Sequence, residues 1–215
     1  MATTGTDSPR ERYRAQVRAE ITRHAWEQMA TAGASALSLN AIAKQMGMSG
    51  PALYRYFASR DDLITELVRE AYRSLADTLH EASAAGADLS GLAHALRDWA
   101  LTDPHRYFLV YGTPVPGYQA PADTTAISSE IMTTLLDACA ALPRAGAATS
   151  FDSHLEDHRD WAAGHHAPSG ALHRFLTFWT RLHGVLSLEL AGHFTGMGFD
   201  PARLFAAELD ELMSS

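Results

Sequence analysis

The spacing of the apolar residues most constrains what this chain can become, for they recur every three or four positions along almost every long segment. That period lines one stripe of a helix, whereas a half-buried strand needs strict alternation. No alternating β-branched run long enough for a sheet is present. The expected fold is all-α, with about nine helices.

Val17, Ile21, Ala25 and Met29 form one face of a first helix over roughly 11–32, and Gly33 stands where a C-terminal cap belongs. A short helix at about 39–46 turns Ile42, Ala43 and Met46 inward, and Gly47 and Met48 then turn the chain. Ser49 is placed to cap a further short helix ending near Phe57, whose first turn tolerates Pro51 because the missing N–H has no intrahelical partner there. Ser59-Arg60-Asp61-Asp62 resembles a capping box and opens a long helix over about 60–83 carrying Leu63, Ile64, Leu67, Val68, Ala71, Leu75 and Leu79.

Downstream, Leu89 to Thr102 reads as helix, and Asp103-Pro104 starts another through Tyr111. Residues 112–117 are punctuation, and a helix is expected over 123–141 through Ile127, Ile131, Leu135 and Ala138. Residues 143–169 read as an irregular excursion holding one short helix. The last two helices are the most apolar: Leu172, Phe175, Leu176, Trp179, Leu182, Leu186 and Leu190 make a broad stripe, and Leu204, Phe205, Leu209 and Leu212 follow Asp200-Pro201.

Charge is divided along this succession of helices. Residues 1–60 hold eight basic and four acidic residues, a net of +4, while the remainder holds nine basic and twenty-one acidic, a net of −12. A basic head joined to an acidic body suits a polyanion partner met by the head alone. The lone Cys139 gives no intrachain disulfide and no Cys-based zinc site. The first ten residues lack an apolar core of the signal-peptide kind, and the most apolar stretch, roughly 170–194, is interrupted by Arg174, Arg181 and Glu189. A cytoplasmic protein with no membrane partner is expected.

Two short helices joined by a tight glycine turn within a basic head make a helix-turn-helix, whose second helix enters the DNA major groove. The run from Gly33 through Ser38, Ile42, Ala43, Gly47, Ser49, Leu53, Tyr54, Phe57 and Ser59 to Leu63 closely resembles the tetracycline-repressor (TetR) family of bacterial transcription regulators, over about residues 14–68. The resemblance implies residues 1–60 as a DNA-binding domain and 61–215 as a domain for effector binding and dimerisation. Leu39, Ile42, Ala43, Met46, Leu53 and Phe57 would pack the head. Ser38 and Ser49 at the helix mouths suit phosphate oxygens as well as capping. By resemblance Tyr54 hydrogen-bonds a phosphate while Lys44 and Arg60 flank the backbone; a solvated charge is the plain alternative for Lys44. Many relatives carry Lys where Gly50 stands here, so base reading would fall on Arg55, with Pro51 and Ala52 against thymine methyls. Arg10, Arg12 and Arg14 belong either to an arm in a neighbouring groove or to a disordered basic tail.

In the body, Trp179-Thr-Arg-Leu-His183-Gly184, with Leu188-Glu-Leu-Ala-Gly192-His193 and Pro104-His-Arg-Tyr107-Phe108, resembles a Trp-x-x-x-His-Gly branch of these C-terminal domains. Trp99, Tyr107, Phe108, Tyr111, Met132, Phe175, Trp179 and His183 are the candidates for lining an effector cavity, although side chains at helical spacing also read as core. Their chemistry points to a lipophilic, neutral or weakly polar small molecule that shifts the long helix and so the separation of two heads. Leu172, Leu176, Gly184, Leu186, Leu190, Leu204, Leu209 and Leu212 are expected to form a four-helix interface in a homodimer, which would bind a palindromic double-stranded operator as a repressor.

Two other readings remain. A metal-responsive regulator would use Asp152, His154, His158, His165 and His166, since two of these histidines stand four apart. An enzyme would need its chemistry in that same segment, where no nucleophile motif, phosphate loop or cofactor signature is present.

Overall fold

A computed structural model of the chain describes residues 8–143, 147–162 and 164–214. The signal-peptide reading of the N-terminus, and parts of the expected excursion at 144–146 and 163, lie outside the described residues. The regular structure among those described is all helical, with ten α-helices, two short 3-10 turns and no strand.

Helix α1 spans Pro9–Ala32. It begins two residues earlier than expected because Ser8 and Glu11 form a reciprocal cap: Glu11 N donates to Ser8 Oγ at 3.2 Å and Ser8 N to Glu11 Oε2 at 2.7 Å. Arg10, Arg12 and Arg14 are therefore helical and exposed, not part of an extended arm. Gly33 ends the helix at φ 77°, a backbone region that disfavours side chains.

Helix α2 spans Leu39–Gln45. Gly47 at φ 64°, with Met48 N donating to Ala43 O at 2.8 Å, closes it by a Schellman-type turn. Met46 is only half-buried, since it is the cap residue and not part of the inner face. Helix α3 is a single turn, Gly50–Leu53, shorter than the expected reach to Phe57. The backbone tightens after it, with Tyr56 N bonded to Leu53 O at 2.8 Å, which carries Phe57 into the core.

Helix α4, Arg60–Ala84, starts after Ser59, whose Oγ accepts from Asp62 N at 3.0 Å. The seven apolar residues expected on its inner face are all buried. Helices α5 (Leu89–Thr102), α6 (Pro104–Tyr111) and α7 (Ala122–Ala141) follow the expected pattern, and α8 (Ser150–Asp157) is the short helix of the excursion. Helices α9 (Ser169–Leu190) and α10 (Pro201–Ser214) complete the chain. Among the described residues no helix is long and apolar enough to cross a membrane.

Internal contacts divide the chain into two compact units. The first comprises the residues up to Ala71 with Phe108–Pro121; the second comprises Tyr72–Tyr107 and the residues from Ala122 onward. In the first, α1, α2 and the turn after α3 bury Ile21, Ala25, Ile42, Leu53 and Phe57 completely or nearly so. In the second, α9 is the central element, packing against α5, α7, α8 and α10. Its inner face is Ala171, Leu172, Phe175, Phe178, Leu182, Val185 and Leu186. The expected stripe is thus rotated: Phe178 is core, whereas Leu176, Trp179 and Leu190 are half-exposed.

Polar clamps tie this unit together. Arg97 meets Glu189 at 2.6 Å, joining α5 to α9, and Arg174 donates to the carbonyls of Cys139 and Pro143, both at 2.8 Å. The second clamp serves carbonyls that the end of α7 leaves without intrahelical partners.

Candidate nucleic-acid interface

On the first unit, Lys44, Ser49, Pro51, Tyr54 and Arg55 are exposed, and Ser38, Gly50 and Ala52 are half-buried. Tyr54 is 44% exposed at the C-terminal end of a one-turn helix. Ser38 caps α2, with Ala41 N donating to its Oγ at 3.3 Å, and Gln28 Oε1 accepts from Ser38 N at 3.0 Å. Ser49 has extended cap geometry but makes no side-chain capping bond, so the expected hydroxyl cap is replaced by a backbone one. A Cβ at Gly50 would meet Asn40 Oδ1 at an ordinary 3.5 Å. Packing does not demand glycine there, and its presence leaves the front of α3 bare.

Arg60 has a different position from the one expected beside DNA. Its guanidinium donates to Ala34 O at 2.8 Å, to Leu37 O at 3.3 Å and to Ser35 O at 3.4 Å. Ala34 O also accepts from Leu37 N at 3.4 Å within the 3-10 turn Ala34–Ala36, and Arg60 adds side-chain donors to all three carbonyls. It holds the entry to the helix-turn-helix.

In the second unit, α9 carries a ladder of rings. Phe175 and Trp179 are stacked at 5.8 Å, Trp179 meets His183 at 4.1 Å, and Trp161 extends the series from Phe175 at 6.0 Å. The Tyr107 ring stacks on His183 at 5.5 Å, and its hydroxyl shares a 2.9 Å hydrogen bond with His183 Nδ1. Burial pushes the His183 pKa down to about 4 and raises that of Tyr107, so both rings are neutral near pH 7. Ser74 Oγ accepts from both Trp99 Nε1 and Arg106, each at 3.1 Å. Of the expected effector contacts, Tyr107, Phe175, Trp179 and His183 are therefore brought together. Trp99 is buried beside Ser74, Met132 is half-buried, and Phe108 and Tyr111 fall within the first unit.

Four of the eight expected interface residues, Leu172, Leu186, Leu209 and Leu212, are buried within their own unit, because α9 and α10 pack on each other. Gly184 is exposed and Leu188 is 45% exposed, whereas Leu176, Leu190 and Leu204 are half-buried.

The suggested metal ligands diverge. Asp152 caps α8 through Thr149 and pairs with His173 Nδ1 at 2.8 Å; bonds from the Thr149 backbone hold its carboxyl below the usual range. His165 Nε2 meets Asp137 at 3.0 Å, and His154 stacks on His158 with ring centres 4.2 Å apart. His166 is exposed. Among the described residues no group of three such side chains is placed to hold a metal ion. His173 and Asp137 were missed by sequence reasoning because their partners lie more than twenty residues away.

A basic helix-turn-helix whose short second helix is flanked by the exposed Ser49, Tyr54 and Arg55, joined to a helical body, is the architecture of a DNA-binding regulator. Residues 21–67 match the family described as "Bacterial regulatory proteins, tetR family", and residues 89–212 match "Tetracyclin repressor-like, C-terminal domain". The chain belongs to the TetR family of transcription regulators, which are DNA-binding proteins and not enzymes. It is similar to the HTH-type transcriptional regulators Rv1816 of Mycobacterium tuberculosis and Mb1846 of Mycobacterium bovis, each 36% identical over 211 residues, covering 91% of this chain and 90% of the relative. It is also similar to the crystal structure of the regulatory protein SCO4313, at 70% identity and a TM-score of 0.90, covering 97% of this chain and all of the other.

Proposed function

We propose that the chain is a cytoplasmic repressor that binds an inverted-repeat operator as a homodimer and is released by an uncharged lipophilic small molecule. The exposed Tyr54 and Arg55, side by side at the end of α3, carry the DNA part of this reading. Arg55 has the fork geometry that engages guanine O6 and N7, and Tyr54 with Lys44 and Ser38 suits phosphate oxygens. Ser49, with its hydroxyl uncommitted to capping, joins them. Gly50, Pro51 and Ala52 present a small apolar front to thymine methyls.

The dimer reading rests on the outer faces of α9 and α10. Gly184 has open space around its Cα, Leu188 is exposed beside it, and Leu176, Leu190 and Leu204 flank the same faces. Close helix approach over a glycine is a common basis for a two-fold helical interface. Two heads so joined would address grooves about 34–36 Å apart.

The effector reading, and the Trp-x-x-x-His-Gly branch with it, rests on the ring ladder Phe175, Trp179, His183 and Tyr107. Six arginines of the second unit support an uncharged ligand, since Arg73, Arg97, Arg106, Arg159, Arg174 and Arg181 each hold a partner within the chain. Selection of bound duplexes from a random pool tests the whole proposal: an inverted repeat is expected, and no preference over bulk DNA at moderate salt would refute it. A compound then found to bind must bind less tightly in the presence of operator, by the same factor that it weakens DNA binding.

A further inference from the structure

Arg18 stands on α1, in the basic head, where a surface arginine would ordinarily be counted among the phosphate contacts. Its guanidinium is engaged elsewhere. It donates to Tyr56 O at 2.7 Å, pairs with Glu66 Oε2 at 3.0 Å, and lies 4.2 Å above the Phe57 ring. All four residues belong to the first unit. Tyr56 and Phe57 close the turn that follows α3, and the same turn carries Tyr54 and Arg55.

A helix of one turn cannot hold its own conformation, because nucleation costs more than a single hydrogen bond returns. Its trailing carbonyls also need donors from outside. In the turn just beyond it, Arg18 supplies a donor to the Tyr56 carbonyl and stacks on the Phe57 ring, while Arg14 approaches Arg55 O at 3.5 Å from one turn earlier on α1. The other end of the Arg18 fork is held by Glu66, on the helix that continues into the second unit. Glu66 also faces Arg69 at 3.7 Å.

We infer that Arg18 is a positioning residue for sequence reading, linking Glu66 on α4 to the Tyr56 carbonyl and Phe57 ring behind the turn that presents Tyr54 and Arg55. Discrimination between DNA sequences thus depends on a side chain whose guanidinium is directed into the protein. A planar fork is required, since one group must serve a carbonyl, a carboxylate and a ring face together. Arg18 thus connects α4 at Glu66 with the backbone of the reading turn.

The inference rests on the proposal that the head selects an operator; wild-type protein showing no sequence preference would defeat that proposal separately. Given a selected operator, Arg18→Lys is compared with wild type on that operator and on a scrambled duplex of equal length, across a salt series. Lysine keeps the charge and loses the fork. Operator affinity is expected to fall about tenfold, with scrambled-duplex affinity and salt dependence unchanged. Wild-type affinity for the operator in Arg18→Lys would overturn the inference, because charge alone would then suffice, as it does at a phosphate contact. Equal loss on both duplexes would overturn it too. Glu66→Gln, which leaves Arg18 in place, is expected to lower operator selectivity in the same direction, and full selectivity in that variant would remove Glu66 from the link. The double variant Arg18→Lys with Glu66→Gln is expected to be no worse than Arg18→Lys alone, since the two residues act on one contact; additive losses would mean that they act independently.

Discussion

The Tyr107 hydroxyl lies 2.9 Å from His183 Nδ1 and also donates to the His183 carbonyl at 3.3 Å, fixing α6 to α9 across seventy-six residues of sequence. Tyr107 is 1% exposed, so this pair must be satisfied internally. Tyr107→Phe keeps the ring stack and removes the hydroxyl, leaving a buried imidazole nitrogen without that partner. It is expected to destabilise the protein by about 1–3 kcal/mol, measured by urea unfolding at pH 7. An unchanged midpoint would show that the hydroxyl contributes nothing to stability.

The same histidine predicts an acid limb in stability. Its pKa in the folded chain is about 4, against an ordinary value of 6.5, because burial disfavours the cation. The unfolded chain therefore binds the proton first. Stability attributable to His183 is complete above about pH 6.5 and falls as pH drops towards 4, by up to about 3 kcal/mol. Unfolding midpoints measured from pH 7 to pH 4 on the wild type and on His183→Gln should converge at the acid end; parallel curves would contradict the assignment.

Cys139 is fully buried, and burial pushes its thiol up to about 12. Since the thiolate is the reactive form, alkylation at pH 8 is expected to be negligible in the native protein and complete in urea. Mass spectrometry after timed exposure reads this directly. Rapid native alkylation would mean that α7 opens readily.

Arg60 and Arg55 should separate cleanly. Arg60→Ala removes the side-chain donors to the Ala34, Ser35 and Leu37 carbonyls and is expected to lower stability by about 1–3 kcal/mol. Arg55→Ala is expected to leave stability within about 0.5 kcal/mol of wild type while relaxing base preference at one operator position. Thermal unfolding combined with binding to an operator library distinguishes the two. Loss of DNA binding by Arg60→Ala at full stability would return it to the phosphate contacts.

Leu188→Glu places a charge on the outer face of α9 without disturbing the inner one. Light scattering at micromolar concentration is expected to change from dimer to monomer, with the far-ultraviolet helical signal retained. A dimer that survives this change would move the interface away from α9.

The helices and the head were legible because their signals are local. Spacings of three and four, Gly33 and Gly47 at turns, and Ser59 ahead of Asp62 are each read within a few residues, and the structure has a corresponding helix or cap. Which way a helix faces was harder. The α9 stripe is apolar over more than half its circumference, so periodicity alone did not distinguish buried Phe178 from half-exposed Trp179.

By itself, the sequence determined the all-α class, the helix-turn-helix and the separation of a basic head from an acidic body, because each depends on neighbouring residues and on composition. Only the tertiary structure decided what the charged and aromatic side chains do. Arg60 and Arg18 turn inward to carbonyls 23 to 38 residues away, Asp152 goes to His173, and Tyr107 finds His183. The physical reason is that a long side chain satisfies whichever unpaired group the fold brings within about 3 Å, and that partner is set by how helices pack, which local spacing does not encode.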